Sequence, residues 1–123
     1  MAMDKDTNVQ KLKDALRKFR DDRDWAQFHD PKNLAEAISI EAAELQEHFL
    51  WKEREEAIRQ LREDAHFREE VGEELADVFI FCMNFANAAD MDVSSLILDK
   101  VEKSNKKYPV EKSKGKATKY NKL

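Results

Sequence analysis

Glycine and proline are nearly missing, with two of each in 123 residues. So few chain-breaking residues exclude an architecture built on frequent tight turns. Cysteine occurs once, as Cys82, which excludes an internal disulfide. Set within an apolar run, that thiol is expected to be buried and structural rather than a nucleophile. No stretch reaches the ~18 uninterrupted apolar residues of a membrane helix. The opening MAMDKDTNVQ holds no hydrophobic segment of the secretory kind. A cytoplasmic protein without a membrane partner is the expectation, and no repeat of solenoid period is present.

What fills the chain instead is Ala, Leu, Glu, Lys and Arg, residues of high helix propensity, so the expected class is all-α. Periodicity predicts a first helix over residues 7–22, with Val9, Leu12, Leu16 and Phe19 on one face and Asp6 or Thr7 as its cap. RDWAQFHDPKN breaks the pattern. A second helix over 32–51 buries Leu34, Ile38, Ala42, Leu45 and Phe49, and a charged stretch with Ile58, Leu61 and Ala65 forms a short connecting helix. A third long helix, 68–90, is the most apolar, with Val71, Leu75, Val78, Cys82, Phe85 and Ala89 at helical spacing. Asp92 caps a fourth, which turns Val93, Leu96, Ile97 and Val101 inward and ends by Pro109. The economical architecture is a bundle of four main helices, a short connecting helix and a basic C-terminal tail: one domain over 1–110, to which residues 111–123 contribute.

Charge is unevenly placed. The chain carries −4 overall, but residues 100–123 hold nine lysines against Glu102 and Glu111, leaving −11 on residues 1–99. An acidic body with a basic tail suits a metal site beside an anion site; a solvated lysine tail is the plainer alternative.

Helical phase locates the acids. At ~100° per residue, Glu41 lies at the edge of the stripe formed by Leu34, Ile38, Leu45 and Phe49, and Glu44 lies ~60° further round, while Glu47 points to solvent. On the third long helix, Glu74 and Asp77 bear the same relation to Val71, Val78 and Cys82. Packed antiparallel through these stripes, the two helices bring four carboxylates together, which cannot stay charged without a cation. An all-oxygen donor set suits Mg²⁺, with Mn²⁺ as the other candidate. Glu70 and Glu73 offer a rival pairing that phase leaves open.

Glu41-Ala42-Ala43-Glu44 followed by Glu74-Leu75-Ala76-Asp77, with RDWAQFHDPKNLA, FLWK, EELADVFIF and KYPVEKSKGKATKY in order around them, resembles the MazG-like nucleoside triphosphate pyrophosphohydrolases, in their small dCTP pyrophosphatase branch. The resemblance implies Mg²⁺-dependent cleavage of dCTP or a modified dCTP between the α and β phosphates, giving monophosphate and pyrophosphate in the service of nucleotide-pool sanitation. It implies that Glu41, Glu44, Glu74 and Asp77 are the catalytic, metal-holding acids. Trp25 and Trp51 correspond to a base-stacking pair, although on aromatic statistics alone Trp51 reads as a core or interface anchor. Phe28 and His29 are candidates for the same pocket, and Asn33 is either a substrate contact or a helix cap. Lys100, Lys103, Lys107, Lys112 and Lys116 are candidates to neutralise the β and γ phosphates.

Two positions depart from the family pattern. Ser104 stands where relatives commonly carry Asn, and Asn105, one residue on and ~100° round, is no direct replacement. Phe81 stands where some dCTP-preferring relatives carry Tyr, which bears on base or sugar discrimination. Assembly into a homodimer or homotetramer is implied as well. The rival readings are a broad-specificity (d)NTP pyrophosphohydrolase, a di-iron bundle, which needs a second E-x-x-H beside Glu63 to His66, and a nucleic-acid or partner-binding module, which the net negative charge opposes.

Overall fold

In the computed structural model, residues 2–123 are described, and they are helical with no strand among them. Six helices follow in order: α1 (Val9–Asp22), α2 (Pro31–Glu47), α3 (Arg54–Glu63), α4 (Ala65–Ala89), α5 (Val93–Lys107) and α6 (Val110–Ser113). Short 3₁₀ turns occupy Asp4–Asp6, Ala26–Phe28 and Tyr120–Lys122. No helix among the described residues is long and apolar enough to cross a membrane.

Short polar side chains set the helix starts. Asn8, not Asp6 or Thr7, caps α1 by accepting from the Lys11 amide at 2.9 Å. Asp30 caps α2 by accepting from the Asn33 amide at 2.9 Å, ahead of Pro31, which has no amide hydrogen to satisfy. Asp64 caps α4 through the Phe67 amide, so that helix begins before residue 68, and Asp92 caps α5 through the Ser95 amide as expected. The ends were harder to foresee. α2 stops at Glu47, not Trp51: the Phe49 and Leu50 amides bond only three residues back, to the Gln46 and Glu47 carbonyls, and the chain then reaches a left-handed φ of 65° at Trp51. Phe49, Leu50 and Trp51 are good enough helix formers that nothing in the sequence marks this stop. The tail also contains α6 and a closing 3₁₀ turn, too short to leave a periodic signal.

The chain forms two compact units, one ending at Asp90 and one running from Met91 to Leu123. In the first, α4 is the central helix and packs on α2, α1 and α3. Phe49 meets Phe67 edge to face at 5.8 Å between ring centroids, while Glu41 and Glu44 meet Glu74 further along, so α2 and α4 run antiparallel. Asn87 ties α1 to α4, accepting from Arg17 Nη2 at 3.1 Å and donating to the Lys13 carbonyl at 3.0 Å. Leu34, Phe67, Val71 and Ala86 are the buried apolar residues. Leu34→Ala, at a site only 2% exposed, is expected to cost about 2–5 kcal/mol. Urea unfolding checks this, the midpoint falling at unchanged m-value.

Periodicity named side chains that are not covered. Cys82 is exposed rather than buried, and so are Leu75 and Phe79 on the same side of α4. From Val78 to Ala86, α4 is apolar nearly all round, so spacing alone does not single out its covered side. Leu12 and Phe19 of α1 and Leu96, Ile97 and Val101 of α5 are likewise exposed. Spacing fixes which residues share a face; it does not supply the neighbour that covers it.

Candidate metal centre and adjoining cavity

One carboxylate oxygen each from Glu41, Glu44 and Glu74 lies within 4.8 Å of the others, a three-acid cluster carried by the facing surfaces of α2 and α4. Glu41 Oε2 and Glu74 Oε2 are buried and have no hydrogen-bond partner. Burial first, then the hydrogen bond and negative charge of Glu44, then the charges of Asp77 and Glu74, push the Glu41 carboxyl above its ordinary range. Glu74 is raised by burial, by Glu44 and by Asp77, against a smaller lowering by His48. Asp77 is outside the three-oxygen cluster but near enough for its charge to act on both. The rival acids drop out: Glu70 pairs with His66 at 3.0 Å on the surface, and Glu73 is exposed.

This donor set fits a hard divalent cation. All its ligand atoms are oxygens, two of them are buried without a partner, and the mutual repulsion that raises Glu41 and Glu74 is what a bound cation removes. His48, whose Nε2 is 4.0 Å from Glu74 Oε1, was not singled out for this site. Its place one turn beyond Glu44 was the available signal.

A cavity of about 210 Å³ lies further along α4. Trp25, His29 and Phe81 line it, three of the residues expected in a base pocket. Leu16, Phe19 and Ile80 complete its apolar wall, and Arg20 and Asn84 are polar wall residues that the sequence reading did not name. Trp25 packs edge to face on Phe19, with ring centroids 5.7 Å apart. Burial, and then the Arg20 charge, lower the His29 pKa, and its Nδ1 is buried without a partner. Glu74, Asp77, Phe81 and Asn84 fall at about 0, −60, −20 and −80° around α4, so acids and cavity share one face with about 10 Å of helix rise between them.

The remaining candidates are elsewhere. Phe28 is exposed and does not line the cavity. Asn33 is not the cap; its Nδ2 donates to the capping Asp30 at 2.6 Å. Trp51 is 98% exposed, so it anchors nothing in the core of this chain. Within the second unit, Lys100 and Ser104 line a groove of about 540 Å³ along α5 with Ile97, Asn105 and Tyr108. Ser104 and Asn105 are thus both at that groove, despite their angular offset. Lys103, Lys107, Lys112 and Lys116 are exposed outside it, with Lys107 Nζ 4.8 Å from the Tyr120 ring centroid.

Residues 37–123 match the sequence profile of the MazG-like family. The chain is similar to dCTP pyrophosphatase 1 of Bos taurus, 38% identical over 105 residues that make up 85% of this chain and 62% of that protein. It is similar to dCTP pyrophosphatase 1 of Homo sapiens as well, 35% identical over 108 residues, 85% of this chain and 61% of that one. The chain therefore spans about three fifths of the length of these curated relatives. A crystal structure of a pyrophosphatase from Archaeoglobus fulgidus DSM 4304 superposes with a TM-score of 0.76 at 41% identity, covering 82% of this chain and 92% of that one. The profile match includes all four acids, while Trp25, Phe28, His29 and Asn33 precede it.

Proposed function

Since the chain belongs to the MazG-like family, we propose that it is a nucleoside triphosphate pyrophosphohydrolase that converts dCTP, or a modified dCTP, to the monophosphate and pyrophosphate. The observation that carries this reading is the cluster of Glu41, Glu44 and Glu74 with two buried, unpartnered oxygens, inside the region of the family match. The similar proteins named dCTP pyrophosphatase 1 support the choice of base. Work on free nucleotides sets the protein in the cytoplasm.

In this reading Glu41, Glu44, Glu74 and Asp77 hold Mg²⁺, or Mn²⁺ in its place. The ion, when bound, neutralises phosphate charge and makes water a better nucleophile. The carboxylates would hold the cation that attracts the triphosphate end, and one of them takes a proton from the water that attacks the α phosphorus. The new P–O bond forms as the bond to the α,β-bridging oxygen breaks, and pyrophosphate leaves with that electron pair. Trp25 stacks on the base and His29 and Phe81 border it, while Trp51, exposed beyond the end of α2 away from this cavity, is assigned to the base pocket of a neighbouring copy. Lys100, Lys103, Lys107, Lys112 and Lys116 are assigned to the leaving phosphates, with Ser104 and Asn33 as polar contacts and Phe28 at the rim. The spacing of about 10 Å along α4 between acids and cavity suits a nucleotide with its phosphates at one level and its base at the other. Apolar side chains left exposed on α1, α4 and α5 support assembly into a homodimer or homotetramer.

Incubation with dCTP, dTTP, dUTP, dATP, dGTP, CTP and UTP, in Mg²⁺ or in EDTA, tests the proposal. The expected products are dCMP and pyrophosphate, only with metal, and fastest from dCTP. Release of diphosphate plus phosphate would overturn the cleavage site. Equal turnover of all seven would replace the dCTP assignment with a broad-specificity pyrophosphohydrolase.

A further inference from the structure

We propose that Asn84 is a specificity residue whose side-chain amide reads the hydrogen-bonding edge of the base; this rests on the nucleotide reading above. Asn84 is 8% exposed, lines the 210 Å³ cavity, and makes no side-chain hydrogen bond among the described residues. Its amide is not sealed off as His29 Nδ1 is but open to the cavity, where it can exchange water for a ligand. The other polar wall groups differ from it. Arg20, whose Nε donates to Asp21 Oδ1 at 2.8 Å, is a donor only. His29 holds its unpartnered nitrogen, Nδ1, buried. Asn84 therefore offers a donor and an acceptor side by side on one planar amide, which neither of these neighbours does.

Both are what a pyrimidine edge requires. A cytosine offers an amino donor beside a ring-nitrogen acceptor, and a side-chain amide can meet the two at once. The surrounding wall of Phe19, Trp25, Ile80 and Phe81 is apolar and supplies stacking without choosing a hydrogen-bonding pattern. Lying on the same face of α4 as Glu74 and Asp77, Asn84 rides on the helix that carries two of the four acids, so the base contact and the phosphate site are held in fixed register.

The test compares two substrates in wild type, Asn84→Leu and Asn84→Ala: dCTP, and a deoxynucleoside triphosphate whose base is difluorotoluene, a pyrimidine-shaped ring without strong hydrogen-bonding groups. In both variants kcat/KM for dCTP is expected to fall by about 10- to 100-fold, mainly through KM, while that for the difluorotoluene nucleotide holds or rises. A general structural disturbance would lower both substrates together, and that result overturns the assignment. Unchanged discrimination in either folded variant overturns it too. Wild-type protein that cleaves neither substrate instead removes the pyrophosphohydrolase reading, and this inference with it.

Discussion

Glu41→Gln and Glu74→Gln, each made alone, are expected to reduce triphosphate turnover on the order of 10³-fold and at the same time to raise the melting temperature of the metal-free protein. The two effects have one cause. Gln preserves the size of the side chain and removes a negative charge from a cluster in which burial and the neighbouring acids already disfavour ionisation. Without metal, that removal relieves repulsion across the α2–α4 contact; with metal, it removes a charged ligand. A residue that only helped to hold the two helices together would behave differently, losing activity and stability in parallel. Pyrophosphate release and thermal melting in EDTA, measured on the same preparations, separate the cases. Full activity in both variants would show that the cluster is not the reaction centre.

That opposition was partly visible in the sequence. Four acids at i and i+3 on two helices, each pair in the same phase to an apolar stripe, placed Glu41, Glu44 and Glu74 correctly, because helical geometry is rigid enough for spacing to predict direction. The same rule failed for Cys82, Leu75 and the apolar face of α5. Phase states which way a side chain points, and coverage depends on a neighbour that the local sequence does not encode. Asn84 escaped notice for a related reason. It falls two turns beyond Asp77 on the same face, but a single amide inside an apolar stretch carries no periodic signal, and its significance emerges only when α1 with Trp25 and His29 closes a cavity against it. Trp51 was recognisable as an aromatic of interest. Its left-handed backbone and 98% exposure, which present the indole to solvent in the turn after α2, are properties of the turn and not of the residue.

Metal should stabilise this protein in a pH-dependent way, and the sign follows from the same two carboxyls. Glu41 and Glu74 titrate above their ordinary value of 4.5 in the folded state. Between that value and their raised values, the folded chain holds protons that the unfolded chain has released. Their contribution therefore favours folding at low pH and is lost as pH rises through the raised range. The metal-free protein accordingly carries its greatest electrostatic penalty at neutral pH, where Glu44 and Asp77 face the same two groups and His48 acts against it at Glu74 alone. A divalent cation requires the deprotonated carboxylates, so its stabilisation runs the other way and grows with pH. At a hundredfold excess over Kd, Mg²⁺ should contribute about 2.7 kcal/mol near pH 7.5, on the order of 10 °C in melting temperature for a chain of this size. The shift should shrink toward pH 5 and be absent in Glu41→Gln. Melting curves in Mg²⁺, in EDTA and in NaCl of matched ionic strength distinguish binding from screening. A shift equal in Mg²⁺ and in matched NaCl, or one that does not vary with pH, would mean that these acids repel one another without holding a cation.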